Sequence, residues 1–256
     1  MSDMIYRPLI EEMTWSYSRI ECFHDCPYRW FLKYIREESE KPMFYSSYGS
    51  FMHKLLEDFY KGEISQKEMY IKFLFDFSSN VQGDRPSEKI VENYIHEGEK
   101  FIKSFSPLPF KPIAIEKWFS FDIRGKQFQG FVDYIGELDG EIFVVDHKSR
   151  KLKKRSNRNP PTAKDEELDE MLKQLYLYSA AVEQEYGKLP SYLCFNCFRN
   201  GELVIEPFNK ETYENTVDWA IRSVEEIEQS EDFYPSVEYF KCNNICGMCD
   251  ICCYKY

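Results

Sequence analysis

Two aspartates and a lysine are the residues whose types and spacing are most suited to chemistry. Asp133 ends the segment Gly130-Phe-Val-Asp133, and Asp146 and Lys148 lie thirteen and fifteen residues further on in Val145-Asp-His-Lys148. Asp146 and Lys148 are two apart in a predicted strand, so they project from one face. Carboxylates are hard oxygen ligands for Mg²⁺ or Mn²⁺. A cation held there lowers the pKa of a water and neutralises charge developing on a phosphate. A nearby lysine adds a point charge to the transition state. The set suits phosphodiester hydrolysis. An Asp-x-Lys triplet also arises by chance, but here it closes the apolar run Phe143-Val144-Val145, and a carboxylate ending a buried strand needs a partner or a metal.

The elements around these residues follow from periodicity. Thr14 or Ser16 caps a predicted helix from about 18 to 35, which kinks or restarts at Pro27. Further helices are predicted over 49–60, 66–77 and 88–104, and the prolines at 107 and 109 end this half. Segments 114–123, 128–135 and 141–146 then read as strands, with turns at Gly125 and at Asp139-Gly140. A helix over 165–186, strands 191–199 and 203–207 across Asn200-Gly201, and a helix over 210–229 complete the order. The class is α/β (α+β), a sheet with flanking helices. A hairpin between the second and third strands brings Asp133 beside Asp146.

The chain of 256 residues is 43% hydrophobic and 17% aromatic, which suits one globular domain. The expected division is a helical region over 1–110, a sheet core over 111–208 and a Cys-rich C-terminal region over 209–256. No run approaches the roughly 20 apolar residues of a membrane span, and the first residues do not resemble a signal peptide. A cytoplasmic location, with no membrane partner, is the expectation. The net charge of −11 disfavours nucleic acid taken alone. The span 148–158 nevertheless holds seven basic residues and no acid. It reads as a mobile loop over 149–162 that offers Arg150, Lys151, Lys153, Lys154, Arg155 and Arg158 to phosphates. Tyr28, Trp30 and Tyr34 are candidates for stacking on bases. Five of the nine cysteines fall in the last fifteen residues. In a reducing compartment that density points to a metal rather than to disulfides.

In this order the motifs resemble the PD-(D/E)XK nuclease superfamily, RecB-like branch. Gly-Phe-Val-Asp133 and Val-Asp146-His-Lys148 are similar to its second and third motifs, with Asp where Glu is commoner. Gln174-Leu-Tyr-Leu-Tyr178 is similar to the branch's Q-x-x-x-Y helix, and Gly49-Ser-Phe-Met-His53-Lys-Leu-Leu-Glu57 to its G-x-x-x-H-x-x-L-E helix. Ser16-Tyr-Ser18 followed by Cys26-Pro27-Tyr28 resembles its opening. The resemblance implies a restriction-endonuclease-like mixed sheet and Mg²⁺- or Mn²⁺-dependent cutting of DNA. It implies His53, Asp133 and Asp146 as metal ligands with the His147 carbonyl completing the shell. Lys148 becomes the catalytic lysine, and Gln174 and Tyr178 orient it or a phosphate.

Some members of the branch, the AddB-type and CRISPR-associated RecB-like nucleases, hold a 4Fe–4S cluster on four cysteines. The resemblance carries this to Cys26, Cys242, Cys246 and Cys252, with Cys249 or Cys253 as alternates and Zn²⁺ as the alternative metal. Cys194 and Cys197 read as core residues. The implied function is an exonuclease or end-processing nuclease in recombination, repair or replication. Its substrate is single-stranded DNA or DNA with free ends, and a helicase or recombination protein is the implied partner. The rival reading is a non-catalytic DNA-end-binding iron–sulfur subunit of a helicase–nuclease complex.

Overall fold

Two tight turns set the register on which the site depends. β1 (Lys111–Ile123) and β2 (Lys126–Leu138) are joined by Arg124-Gly125, and β2 and β3 (Glu141–Lys148) by Asp139-Gly140. Both residues of each turn have positive φ (51° and 83°, then 53° and 83°). Such turns match the twist of the strands they join, and a glycine in second place relieves half of the backbone cost. The computed structural model describes residues 6–254.

β4 (Tyr192–Cys197) and β5 (Glu202–Pro207) complete a five-stranded sheet in the order β1-β2-β3-β4-β5, with β3 and β4 parallel and the other neighbours antiparallel. A parallel pair needs a long crossover. Here it is α7 (Ala163–Tyr186), opened by a capping box between Thr162 and Asp165 and closed by Gly187 at φ 76°. α7 and α8 (Lys210–Gln229) cover one face of the sheet together with the N-terminal helices, around Val144, Leu175, Phe195 and Val224.

The N-terminal half is α1 (Arg7–Glu11), α2 (Tyr17–Asp25), α3 (Pro27–Tyr34), α4 (Phe44–Tyr60), α5 (Gln66–Asn80) and α6 (Glu88–Lys103). α4–α6 enclose a separate apolar cluster around Tyr48, Met52 and Phe73. Of the two caps offered by the sequence, Ser16 is the one used: it accepts from the Arg19 N–H. At Pro27 the helix restarts rather than kinks. Cys26 is extended (φ −160°, ψ 104°), as a residue before proline prefers, and Pro27 occupies the first turn of the next helix, where its missing N–H costs nothing. A short α9 (Tyr239–Asn244) opens the cysteine tail and carries Cys242. α1 is absent from the sequence-based expectation, because five residues show too little periodicity. α4 starts before Gly49 because the aromatic run from Phe44 continues its buried face.

Residues 149–162 form a loop without helix or strand, as their charge and prolines lead one to expect, and it is anchored at two points. Leu152 is buried in the main core. Asp165 accepts hydrogen bonds from the Ser156 N–H and hydroxyl, each at 2.7 Å. Among the described residues, no helix is long and apolar enough to cross a membrane.

Candidate active site

β3 pairs with β2 from Glu141 to Val145, and Tyr134↔Val145 is the last rung. Asp133 and Asp146 are the next couple along both strands. Here the long β1–β2 ribbon parts from the sheet, and Trp15 takes up the freed edge of β2 through hydrogen bonds with Gln127 and Gln129. The fork replaces a ladder bond with a side-chain one: the His147 N–H donates to Asp133 Oδ2 at 2.7 Å.

On one side of the fork stands the lysine. Lys148 Nζ donates to Asp146 Oδ1 at 3.1 Å and to Gln174 Oε1 at 2.8 Å. Asp146 Oδ2 is 3.0 Å from the same ammonium. It is nevertheless sealed from solvent and accepts no hydrogen bond. Gln174 lies on α7 one turn before Tyr178, and burial, partly opposed by the neighbouring Gln174, pushes the Tyr178 pKa up. Gly130 makes room for this ring. A Cβ there would lie 2.7 Å from Tyr178 Cε1, which gives a physical reason for the glycine of the Gly-Phe-Val-Asp segment.

On the other side α4 delivers His53, with Nδ1 3.4 Å from Asp133 Oδ2 and 4.0 Å from Glu116 Oε1. One ligand atom each of His53, Glu116 and Asp133 lies within 4.8 Å of the others. Glu116 is a site residue that the sequence reading misses. It sits in β1 opposite Asp133 and has φ 46°, a left-handed conformation that is uncommon away from glycine and tends to mark functional sites. Its signal is present in the sequence: a two-residue turn at Arg124-Gly125 fixes the register that places 116 across from 133.

The electrostatics are those of crowded acids. Burial, then the charge of Asp133, pushes the Glu116 carboxyl up to about 7. Burial, then Asp146, raises Asp133 well above the ordinary carboxylate range. Burial lowers the His53 pKa, so its imidazole is neutral and keeps a lone pair. His147, fully enclosed, is held well below its usual value by burial and then by His53, and its Nδ1 is 3.0 Å from Asn196 Nδ2. Two hard carboxylates and a neutral imidazole around one point, with a third carboxylate oxygen buried and short of hydrogen bonds nearby, fit a divalent cation. The trio closest together is thus His53, Glu116 and Asp133, whereas Asp146 is engaged by Lys148.

The other expected residues are placed as follows. Cys26, Cys242, Cys246, Cys249 and Cys252 line one cavity between α3 and the tail. Cys253 hydrogen-bonds the Tyr28 hydroxyl at 3.3 Å, and Cys249 turns toward Asp250. Cys194 and Cys197 are buried in β4. Of the basic residues, Arg150 pairs with Glu167, Lys151 with Glu97, and Arg155 with Asp169 and Glu206. Lys153, Lys154 and Arg158 are exposed and, among the described residues, unpaired. Trp30 is fully buried, so it offers no face to a base.

A mixed five-stranded sheet with a carboxylate pair and a lysine at its fork is the arrangement of a restriction-endonuclease-like nuclease. The chain belongs to the PD-(D/E)XK nuclease superfamily, whose family model matches residues 14–254. A candidate exonuclease from Eubacterium rectale has a similar structure, with a TM-score of 0.52 and 13% identity over 98% of this chain and 92% of that one. At that identity the likeness speaks for the fold alone. A structure described as SSO0001 is 16% identical over 99% of this chain and 98% of that chain, but its TM-score of 0.32 carries no argument. None of the curated proteins matches the chain in sequence.

Proposed function

We propose that the chain is a divalent-metal-dependent deoxyribonuclease of the RecB-like branch, an exonuclease or end-processing enzyme. The observation that carries this is the Lys148 ammonium held between Asp146 and Gln174, beside the His53–Glu116–Asp133 group. When bound, Mg²⁺ or Mn²⁺ supplies positive charge to the scissile phosphate and acidifies a water. His53, Glu116 and Asp133 would hold it, with Asp146 and the His147 carbonyl as further oxygen donors. Lys148 stabilises charge on the phosphoryl oxygens, and Gln174, steadied by Tyr178, keeps the ammonium from collapsing fully onto Asp146. The His147 N–H orients Asp133.

For the cysteine cavity we propose a 4Fe–4S cluster on Cys26, Cys242, Cys246 and Cys252, tying the start of α3 to the tail. The support is that five cysteines from both ends of the chain line this one cavity, and Zn²⁺ is the alternative metal. Lys153, Lys154 and Arg158 are the surface cations best placed to meet DNA phosphates, with Arg150, Lys151 and Arg155 already in internal pairs. A helicase or recombination protein is the proposed partner, and a cytoplasmic location agrees with nine unpaired thiols. The test is cleavage of end-labelled single- and double-stranded DNA in Mg²⁺ or Mn²⁺. Asp146→Ala and Lys148→Ala should each abolish it without loss of fold; cutting by either variant at the parent rate sinks the proposal.

A further inference from the structure

Trp118 and Phe131 face each other across β1 and β2, and both are exposed, 51% and 56%. Large exposed aromatics side by side are unusual on a sheet with one solvated face, where polar residues are expected. The rungs further out obey that expectation: Ser120 pairs with Gln129, and Asp122 with Gln127. The aromatic rung is thus the one of this series nearest Glu116 and Asp133, two residues away on each strand. Two residues along a strand span about 7 Å, roughly the reach of a nucleotide from its phosphate to its base.

We infer that Trp118 and Phe131 form a stacking platform for unpaired bases of the strand being cut, a reading that rests on the proposed nuclease site. A phosphate at the His53–Glu116–Asp133 group places the attached nucleoside over this rung. Aromatic faces accept any base, so the platform confers affinity for a single strand without sequence preference. Bases within a duplex are closed off by their neighbours, so paired DNA gains from it at its end alone. The substrate class is therefore single-stranded DNA or a frayed terminus.

The experiment compares the parent, Trp118→Ala, Phe131→Ala, the double variant and Trp118→Phe. Binding of a labelled thymidine oligomer is measured by anisotropy, with Ca²⁺ in place of Mg²⁺. Each alanine change should weaken binding about tenfold, and Trp118→Phe should keep most of the affinity. An oligomer with abasic residues at its end should bind the parent as weakly as the intact oligomer binds the double variant, and should bind the double variant no more weakly still. Mn²⁺ affinity, measured by calorimetric titration, should be the same in parent and double variant, because neither aromatic belongs to the His53–Glu116–Asp133 group. Equal affinity of parent and double variant for the intact oligomer overturns the inference, as does loss of Mn²⁺ binding in the double variant. A parent that cuts no end-labelled DNA in Mn²⁺ refutes the nuclease reading instead, because the binding comparison does not depend on cutting.

Discussion

Glu116 on β1 stands across from Asp133 on β2, between the rungs Ile115↔Tyr134 and Lys117↔Val132, and does so with a left-handed backbone. In that conformation its carboxylate reaches the side of the ribbon where α4 presents His53. Such a backbone costs on the order of 1–3 kcal/mol.

If Glu116 is held there to bind a cation, Glu116→Gly should fold at least as stably as the parent, since glycine adopts positive φ freely. The same variant should bind Mn²⁺ tenfold or more weakly, comparable with losses known at metal sites. Calorimetric titration with Mn²⁺ and a thermal melt check the two halves separately. Unchanged Mn²⁺ affinity would remove Glu116 from the site.

The Lys148–Gln174 bond makes a different prediction. Gln174→Ala leaves the ammonium with Asp146 alone, so the lysine should settle onto that carboxylate and away from the phosphate. Single-turnover cleavage should fall about ten- to a hundredfold with little change in KM, because the interaction acts in the transition state. Lys148→Arg should not restore a lysine-dependent rate, since a planar guanidinium cannot take the place of a compact ammonium. A rate loss confined to KM would assign Gln174 to binding.

Gly130 and Tyr178 test the support behind that pair. A Cβ at 130 meets the Tyr178 ring at 2.7–3.1 Å, and the ring is enclosed in the core, so it cannot swing clear. Gly130→Ala should cost about 1–3 kcal/mol, a fall in Tm of several degrees for a chain of this size. Gly130→Ala combined with Tyr178→Phe should recover little, because the clash involves ring carbon as well as the hydroxyl. Recovery to the parent Tm would show that the hydroxyl alone is crowded.

Much of this arrangement is legible in the sequence because it is set by short-range rules. The turns at Arg124-Gly125 and Asp139-Gly140 fix both hairpins, so Asp133 falls beside Asp146 by counting. The i, i+2 spacing puts Lys148 on the same face as Asp146. Glu116 escapes such a reading because an acid in an alternating strand ordinarily faces water, and its left-handed turn inward is imposed by tertiary contacts. The anchors of segment 149–162 are hidden for a similar reason: Leu152 is buried in the main core and its carbonyl accepts from Asn200, far along the chain, although Ser156 bonds the nearby Asp165.

The cysteine cavity makes a spectroscopic prediction. Protein purified without oxygen should show the visible absorption of an iron–sulfur chromophore. Cys26→Ser, Cys242→Ser, Cys246→Ser and Cys252→Ser should each bleach it and loosen the tail, whereas Cys253→Ser should not, since that thiol is turned to Tyr28. A colourless protein carrying one zinc per chain would replace the cluster with the alternative metal.

Asp165 ties stability to pH. Its carboxylate accepts hydrogen bonds from the Ser156 and Thr162 N–H groups and from both hydroxyls, all at 2.7 Å. The Ser156 bonds, then those from Thr162, hold its pKa well below the ordinary value. A depressed folded pKa stabilises the protein fully above the unfolded value of about 3.9, and the contribution is lost as pH falls through that value toward the folded one. Asp165→Asn should therefore lower Tm at neutral pH, and the gap from the parent should narrow steadily below about pH 4. Since the same bonds hold the loop that carries Lys153, Lys154 and Arg158, the variant should also be nicked faster by trypsin within 149–162 at neutral pH. A Tm difference that stays constant down to pH 3 would mean that Asp165 acts through shape rather than through its charge.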